Sequence, residues 1–425
     1  MSKSEFEKKI FGYEPIVLQL MQVADMCKNE SVYEELGATL PKGILLYGEP
    51  GLGKSLLASC FSKETGRQTF LLRRNKNSRN FTDEITKTFA EAKMAAPSVI
   101  FCDDLDHFAS DDDNDEEFNV VQGEIDDLGD ADVIVIATAN EYRRLPHSLR
   151  RSGRFDITIH VPAPEQKDAE KIIDFYLKDK AVGDDINVSD ISKMLVGMSC
   201  SDLQDILNQA AIFAGYDRAK KIDMKYFVKA ALLTRYDSLE GYDEISQEEK
   251  EKTALHEAGH ICAAWVCQPG CIGMGSILVS GRGNKGGFVS RCEPTERRPH
   301  DVVASLAGKC AVELYYPGCA SGAQSDLTRA MDDIRSGVCN SGTLGLANLD
   351  ASNEQFPKTS DEYKNRNEAI VLSELERFMF ITKKILIENR DFLEKLKAAL
   401  VEKGTLLNSD IQAIADTCKI IPTEV

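Results

Sequence analysis

Two stretches of this 425-residue sequence set chemically capable side chains at fixed spacings. In His256-Glu257-Ala258-Gly259-His260, two histidines stand at i and i+4 within the helix-like run 253–265. That spacing puts both imidazoles on one helix face, one turn apart, where they can grip a single Zn²⁺. Glu257, next to the first histidine, is then placed to take a proton from a water on that metal. Two ligands do not complete a zinc site, so the chain must supply a third. The other stretch is Gly48-Glu49-Pro50-Gly51-Leu52-Gly53-Lys54-Ser55-Leu56, whose glycines let backbone N–H groups wrap phosphates. Lys54 would neutralise β/γ-phosphate charge, and the Ser55 hydroxyl would ligate Mg²⁺.

Each motif needs elements to hold it. The phosphate loop follows an apolar strand, residues 43–47, and opens a helix, residues 56–61, whose positive N-terminal end faces the same phosphates. Further apolar runs at 69–72, 99–102, 133–137 and 157–161 are of strand length, with helical stretches such as 83–93 between them. Short continuous apolar strands alternating with helices predict a parallel sheet covered on both faces. The third strand ends in Asp103-Asp104, at the edge where Mg²⁺ and an attacking water are held; Asp103 would support the metal and Asp104 orient the water. The next strand runs into Asn140, an amide able to position that water. Arg151 and Arg154 are candidates for arginine fingers reaching a neighbouring subunit's nucleotide, with plain surface ion pairs an equal alternative on spacing alone.

Composition bounds the rest. The chain is 43% hydrophobic and 28% charged, an ordinary globular balance with room for two or three domains. A net charge of −18 argues against nucleic acid or an anionic membrane as the main partner. No run reaches the ~18 apolar residues that cross a bilayer. Twelve scattered cysteines without a signal peptide point to free thiols of the cytoplasm. Cys262, Cys267 and Cys271 fit no zinc-finger spacing and are expected to be buried thiols. The acidic run 110–117 is expected to be a solvated loop.

The order Gly-Glu-Pro-Gly-Leu-Gly-Lys-Ser, Ile-Phe-Cys-Asp-Asp-Leu-Asp, Ala-Thr-Ala-Asn and Arg-Ser-Gly-Arg-Phe-Asp resembles an AAA+ ATPase. With His-Glu-Ala-Gly-His downstream, the whole chain resembles the FtsH-type ATP-dependent zinc metalloproteases. The resemblance implies an α/β P-loop AAA+ domain, its parallel sheet flanked by helices, in residues 1–164. It implies a helical lid in 165–238 and a mostly α-helical zinc metallopeptidase domain in 239–425. It also implies that Gly12 and Tyr13 cradle adenine and that the working form is a hexamer; no membrane span of its own is expected, since no run is long and apolar enough. Three departures stand out. The family has Asp-Glu where this chain has Asp103-Asp104, and its aromatic–aliphatic–glycine pore triplet is missing from 73–81, where Phe81 is the nearest substitute. The family's N-terminal membrane spans have no counterpart.

In the zinc half, Ser246 and Glu249 form a capping box that starts the zinc helix, after a polar boundary at 236–250. Strand-like pieces at 275–280 and 287–291 could pair with an extended peptide. Asp326 can be read as a helix cap alone, but its segment, Ser-Gly-Ala-Gln-Ser-Asp-Leu-Thr-Arg-Ala, matches the family segment that supplies the third zinc ligand. His300, read as a cap before the helix at 301–315, and Glu313, read as a buttress of the site, are its rivals. Residues 361–415 pattern as amphipathic helix. The expected function is a protein-degrading endopeptidase using Zn²⁺ and ATP with Mg²⁺. A remodelling ATPase with a vestigial protease half, or a peptidase whose nucleotide domain only assembles the ring, are the alternatives.

Overall fold

Segments rich in Val, Ile and Leu with no polar alternation are stable only when buried on both faces, and five of them make the first sheet. The computed structural model describes residues 4–74, 80–109, 115–151, 153–236, 246–278, 286–292, 298–316, 318, 323–341, 344, 361–423 and 425. The chain divides into two compact units, residues 1–181 with 197–208, and residues 182–196 with 209–425.

The first unit opens with helices α1 (Glu5–Lys9), α2 (Glu14–Lys28) and α3 (Glu30–Glu34). Then β1 (Gly43–Tyr47), α4 (Lys54–Glu64), β2 (Gln68–Arg73), α5 (Phe81–Met94) and β3 (Ser98–Asp103) alternate. They are followed by α6 (Asp115–Asp127), β4 (Val133–Ala139), β5 (Ile157–His160) and α7 (Gln166–Leu177). The five strands are parallel in the order β2-β3-β4-β1-β5. Leu45, Ile100, Val135 and Ala137 pack with Phe81, Phe89 and Ile125 of α5 and α6, while Ile44, Val99 and Ile134 are buried on the opposite face. The register pairs Tyr47 with Ala139, Cys102 with Ala137 and Arg73 with Asp103, so four strand ends share one edge.

Two expectations fail in this unit. Phe81 is buried, edge-on to Phe108 with ring centroids 5.1 Å apart. Its ring is needed in the core and is not displayed to a substrate; positions 75–79 lie outside the described residues. Within the acidic run 110–117, residues 115–117 begin α6, and the buried Glu117 carboxylate pairs with Arg74 at 3.0 Å. A cation partner makes that glutamate affordable inside; positions 110–114 lie outside the described residues.

Next in the chain come α8 (Val188–Met194), α9 (Cys200–Tyr216) and α10 (Met224–Tyr236), and positions 237–245 of the expected boundary lie outside the described residues. Then come α11 (Gln247–Cys267), β6 (Ile272–Ser276), β7 (Phe288–Arg291), α12 (Arg298–Tyr315) and α13 (Gln324–Ser336). The chain closes with α14 (Asp361–Glu388), α15 (Arg390–Lys403), β8 (Thr405–Leu407) and α16 (Asn408–Asp416). Leu255, Ile261 and Trp265 of α11 are buried, each worth about 1.5–3 kcal/mol, which fixes the helix's rotation. The antiparallel sheet runs β7-β6-β8. The strand expected at 275–280 instead spans Ile272–Ser276, because its apolar start is buried and Leu278 is exposed; positions 279–285 are not among the described residues. No helix among the described residues is long and apolar enough to cross a membrane.

Candidate functional site

The phosphate loop lies between β1 and α4, with Gly51 and Gly53 at φ of 79° and 85°, a left-handed backbone that glycine adopts without a Cβ penalty. Lys54 is buried, and its ammonium donates to the carbonyls of Gly48 (2.8 Å) and Glu49 (2.7 Å). Burial pushes its pKa down, opposed by Asp104, Asp106 and Asp103. The Ser55 hydroxyl donates to Asp103 Oδ1 at 2.7 Å, and Thr138 donates to the same oxygen at 2.8 Å. Asp104 takes a left-handed backbone (φ 56°), its N–H donates to Thr138 Oγ1, and its Oδ1 accepts from the Asn140 amide at 3.4 Å. Ser55, Asp103, Thr138, Asp104 and Asn140 thus belong to one hydrogen-bonded group, with the Lys54 ammonium in the field of its aspartates.

Asp106 had no assigned role in the sequence. Its Oδ2 accepts the backbone N–H of Asn140 (3.0 Å) and of Glu141 (2.9 Å), so it fixes the strand end that aims Asn140. Gly12 (φ 80°) and Tyr13 (φ 60°) form the turn into α2. The Tyr13 hydroxyl donates to the Pro162 carbonyl at 2.9 Å and lies 3.5 Å from Cys200 Sγ, while the Ser201 N–H at the start of α9 donates to Gly51 O. Leu52 is buried and Leu56 exposed on α4. The two arginines bond elsewhere in this chain. Arg154 makes a bidentate pair with Asp126 at 2.9 and 2.7 Å, and Arg151 Nε donates to His147 Nδ1 at 3.4 Å.

The second group is built on α11, which starts with the expected Ser246–Glu249 capping box. His256 Nε2 and His260 Nε2 are 3.0 Å apart, and Asp326 Oδ2 lies 3.1 Å from the first and 3.5 Å from the second. Donors about 2.0–2.2 Å from a tetrahedral zinc stand roughly 3.4 Å from one another, so two imidazoles and one carboxylate in this arrangement fit that ion. His260 Nδ1–H donates to the Ala304 carbonyl at 2.7 Å, which leaves Nε2 as the lone-pair nitrogen. Asp326 is the third residue of α13, whose N-cap is Ala323, so its carboxylate turns to the histidines and does not cap. Burial raises the pKa of that carboxylate, but the interactions with the adjoining His256 and His260 rings outweigh it, and the net direction is down. Glu257 is buried beside them. Burial pushes its carboxyl pKa up, against the pull of His260 and His256.

Backbone proximity explains the glycines. A Cβ on Gly259 would sit 2.6 Å from Ala307 O, and one on Gly308 only 2.4 Å from His260 Nε2 and 2.6 Å from His256 Nε2. Each glycine lets α11 and α12 approach until α12 backbone borders the imidazoles. Gly287 does the same for Glu257, whose Cγ a Cβ there would meet at 2.6 Å. Gly308→Ala is expected to cut bound zinc well below the wild-type stoichiometry, read by metal analysis of the purified chain, with the nucleotide site unchanged. A glycine inside a helix costs about 1 kcal/mol against alanine, and that was the available signal for Gly308 in the sequence.

The rivals of Asp326 are otherwise engaged. Glu313 pairs with Lys309 and with Lys383 (3.0 Å), so its carboxylate is neutralised on the surface between α12 and α14. His300 lies inside the first turn of α12, not before it. Among the described residues, His256, His260 and Asp326 are the group arranged to hold a metal ion. Burial pushes the thiols up instead, Cys267 to about 11 and Cys271 to about 12.

Residues 44–163 match the ATPase family associated with various cellular activities (AAA), and residues 243–414 match peptidase family M41. The chain is 28% identical to the ATP-dependent zinc metalloprotease FtsH of Nitrosococcus oceani, over 98% of this chain and 70% of that one. It is 29% identical to the protein of that name from Streptobacillus moniliformis, over 93% of this chain and 62% of the other. Against the Corynebacterium glutamicum protein it is 28% identical over 98% of this chain. There the match spans 52%, about half, of the relative's length.

Proposed function

We propose that this chain, an AAA ATPase region joined to an M41 peptidase region in the FtsH manner, is an ATP-dependent zinc endopeptidase that unfolds, translocates and degrades proteins. The observation that carries the reading is the convergence of His256, His260 and Asp326 beside the buried Glu257. His256, His260 and Asp326 would hold Zn²⁺, which would supply Lewis-acid polarisation of the scissile carbonyl and a lowered pKa for water. Glu257 is the base. A buried carboxylate favours its protonated form, so it takes the proton of the attacking water and passes it to the leaving amine. His260 stays in the required tautomer through Ala304, and edge strand β7 offers backbone groups to an extended peptide.

In the nucleotide unit, the loop from Gly48 and the ammonium of Lys54 bind the phosphates, and Ser55 and Asp103 hold Mg²⁺. Asp104 and Asn140 orient the hydrolytic water, with Asp106 fixing Asn140 from behind. Gly12 and Tyr13 border the adenine. Arg151 and Arg154 act on a neighbour's nucleotide in a homo-oligomeric ring, by resemblance a hexamer; Arg154 would exchange its half-exposed partner Asp126 for that nucleotide. The domains are residues 1–164, 165–238 and 239–425, a division supported by family matches that fall inside the first and third. A cytoplasmic setting is supported by the eleven described cysteines, none of them in a disulfide.

A flexible peptide and a folded protein, each offered with ATP or a non-hydrolysable analogue, test the reading. The expected result is peptide cleavage with either nucleotide and degradation of the folded protein with ATP alone. Failure to degrade the folded protein under any condition would leave the narrower reading, a peptidase whose nucleotide domain assembles the ring, which Asp104 in place of the family's glutamate favours.

A further inference from the structure

The end of β2 carries a cation that the reaction above leaves unused. Arg73 is the last residue of this edge strand and stands opposite Asp103 in the parallel register, so its Cα is fixed by the sheet. Its guanidinium straddles two carboxylates, with Nη1 3.7 Å from Asp103 Oδ2 and Nη2 3.8 Å from Asp104 Oδ2. The other oxygens of the pair are committed elsewhere. Asp103 Oδ1 accepts from Ser55 and Thr138, and Asp104 Oδ1 accepts from Asn140. The oxygens that face Arg73 are therefore the ones left for a cation. The Arg73 side chain is 59% exposed against 9% for Asp103, so the arginine can swing into water while the carboxylate cannot.

Resting on the reading of Asp103 as the Mg²⁺ support and Asp104 as the water-orienting group, we infer that Arg73 is a positioning residue that competes with Mg²⁺ for this carboxylate pair and thereby sets the magnesium requirement of nucleotide binding. Two cations on the same oxygens repel, and Mg²⁺ takes its oxygens at about 2.0–2.1 Å, which would set the metal close against a guanidinium 3.7 Å from Asp103 Oδ2. Arg73 must withdraw from Asp103 before the metal site is complete. Its withdrawal also returns Asp104 to the single restraint of Asn140.

The test follows binding of a fluorescent ADP analogue to the full chain as Mg²⁺ is raised, for wild type, Arg73→Ala and Arg73→Lys. An ion pair with its guanidinium in solvent and no hydrogen bond, at 3.7–3.8 Å, is worth about threefold in an equilibrium constant, so Arg73→Ala should lower half-saturating Mg²⁺ about threefold. Arg73→Lys, which keeps the charge, should retain the wild-type requirement, and added salt should shrink the difference. Arg73→Gln gives the same readout if the alanine variant does not fold. An unchanged or raised magnesium requirement on removing the charge overturns the inference while leaving the nucleotide site intact. Wild-type binding that is indifferent to both Mg²⁺ and Asp103→Ala would instead overturn the reading of the site, and this inference with it.

Discussion

Replacing Glu257 with glutamine is expected to lower peptide cleavage by about 10²–10⁴-fold while bound zinc and ATP hydrolysis stay at wild-type levels. The amide matches the carboxyl in size, so the contact with Gly287 and the burial of the side chain survive. What is lost is the proton acceptor. The amide also removes an ionisable group that burial disfavours when charged, so thermal stability should hold or rise. Cleavage assayed on an unstructured peptide isolates this step from unfolding. Undiminished cleavage by a zinc-loaded Glu257→Gln chain would remove Glu257 from the reaction.

Lys54→Ala is the complementary expectation. The buried ammonium is the one cation of the phosphate loop, and removing such a clamp typically costs about 10²–10³ in turnover. Nucleotide hydrolysis and degradation of a folded substrate should both fall by that order, measured as phosphate release and loss of intact protein. Zinc content should not change, since His256, His260 and Asp326 share no residue with the loop. Folded-substrate degradation that continues at the wild-type rate in Lys54→Ala would separate the protease from the motor.

Much of this was legible in the residues because the chemistry is local. Two histidines one helical turn apart, or a strand running into glycines and Lys54, state their geometry within a dozen positions. Asp326 needed the resemblance, because nothing at 324–328 announces that α13 will point its first turn at a helix seventy residues upstream. The strand order was not readable either, since apolar runs identify parallel strands without saying which are neighbours. β8 was hidden in a stretch patterned as amphipathic helix. Gly404, at φ 75°, ends α15 there and lets Thr405–Leu407 pair with β6. Arg73 carried no motif; only the β2–β3 register brings it to the carboxylates.

The packing of α12 on α11 has one more consequence. The carbonyl of Ala304, which holds the His260 ring, and the bare backbone of Gly308, which borders both imidazoles, lie one helical turn apart. A slip of one residue along α12 would withdraw the acceptor and drive a side chain into the metal's place. Hydrolytic competence is therefore conditional on finished folding: a chain still assembling its second unit lacks the arrangement needed to cut.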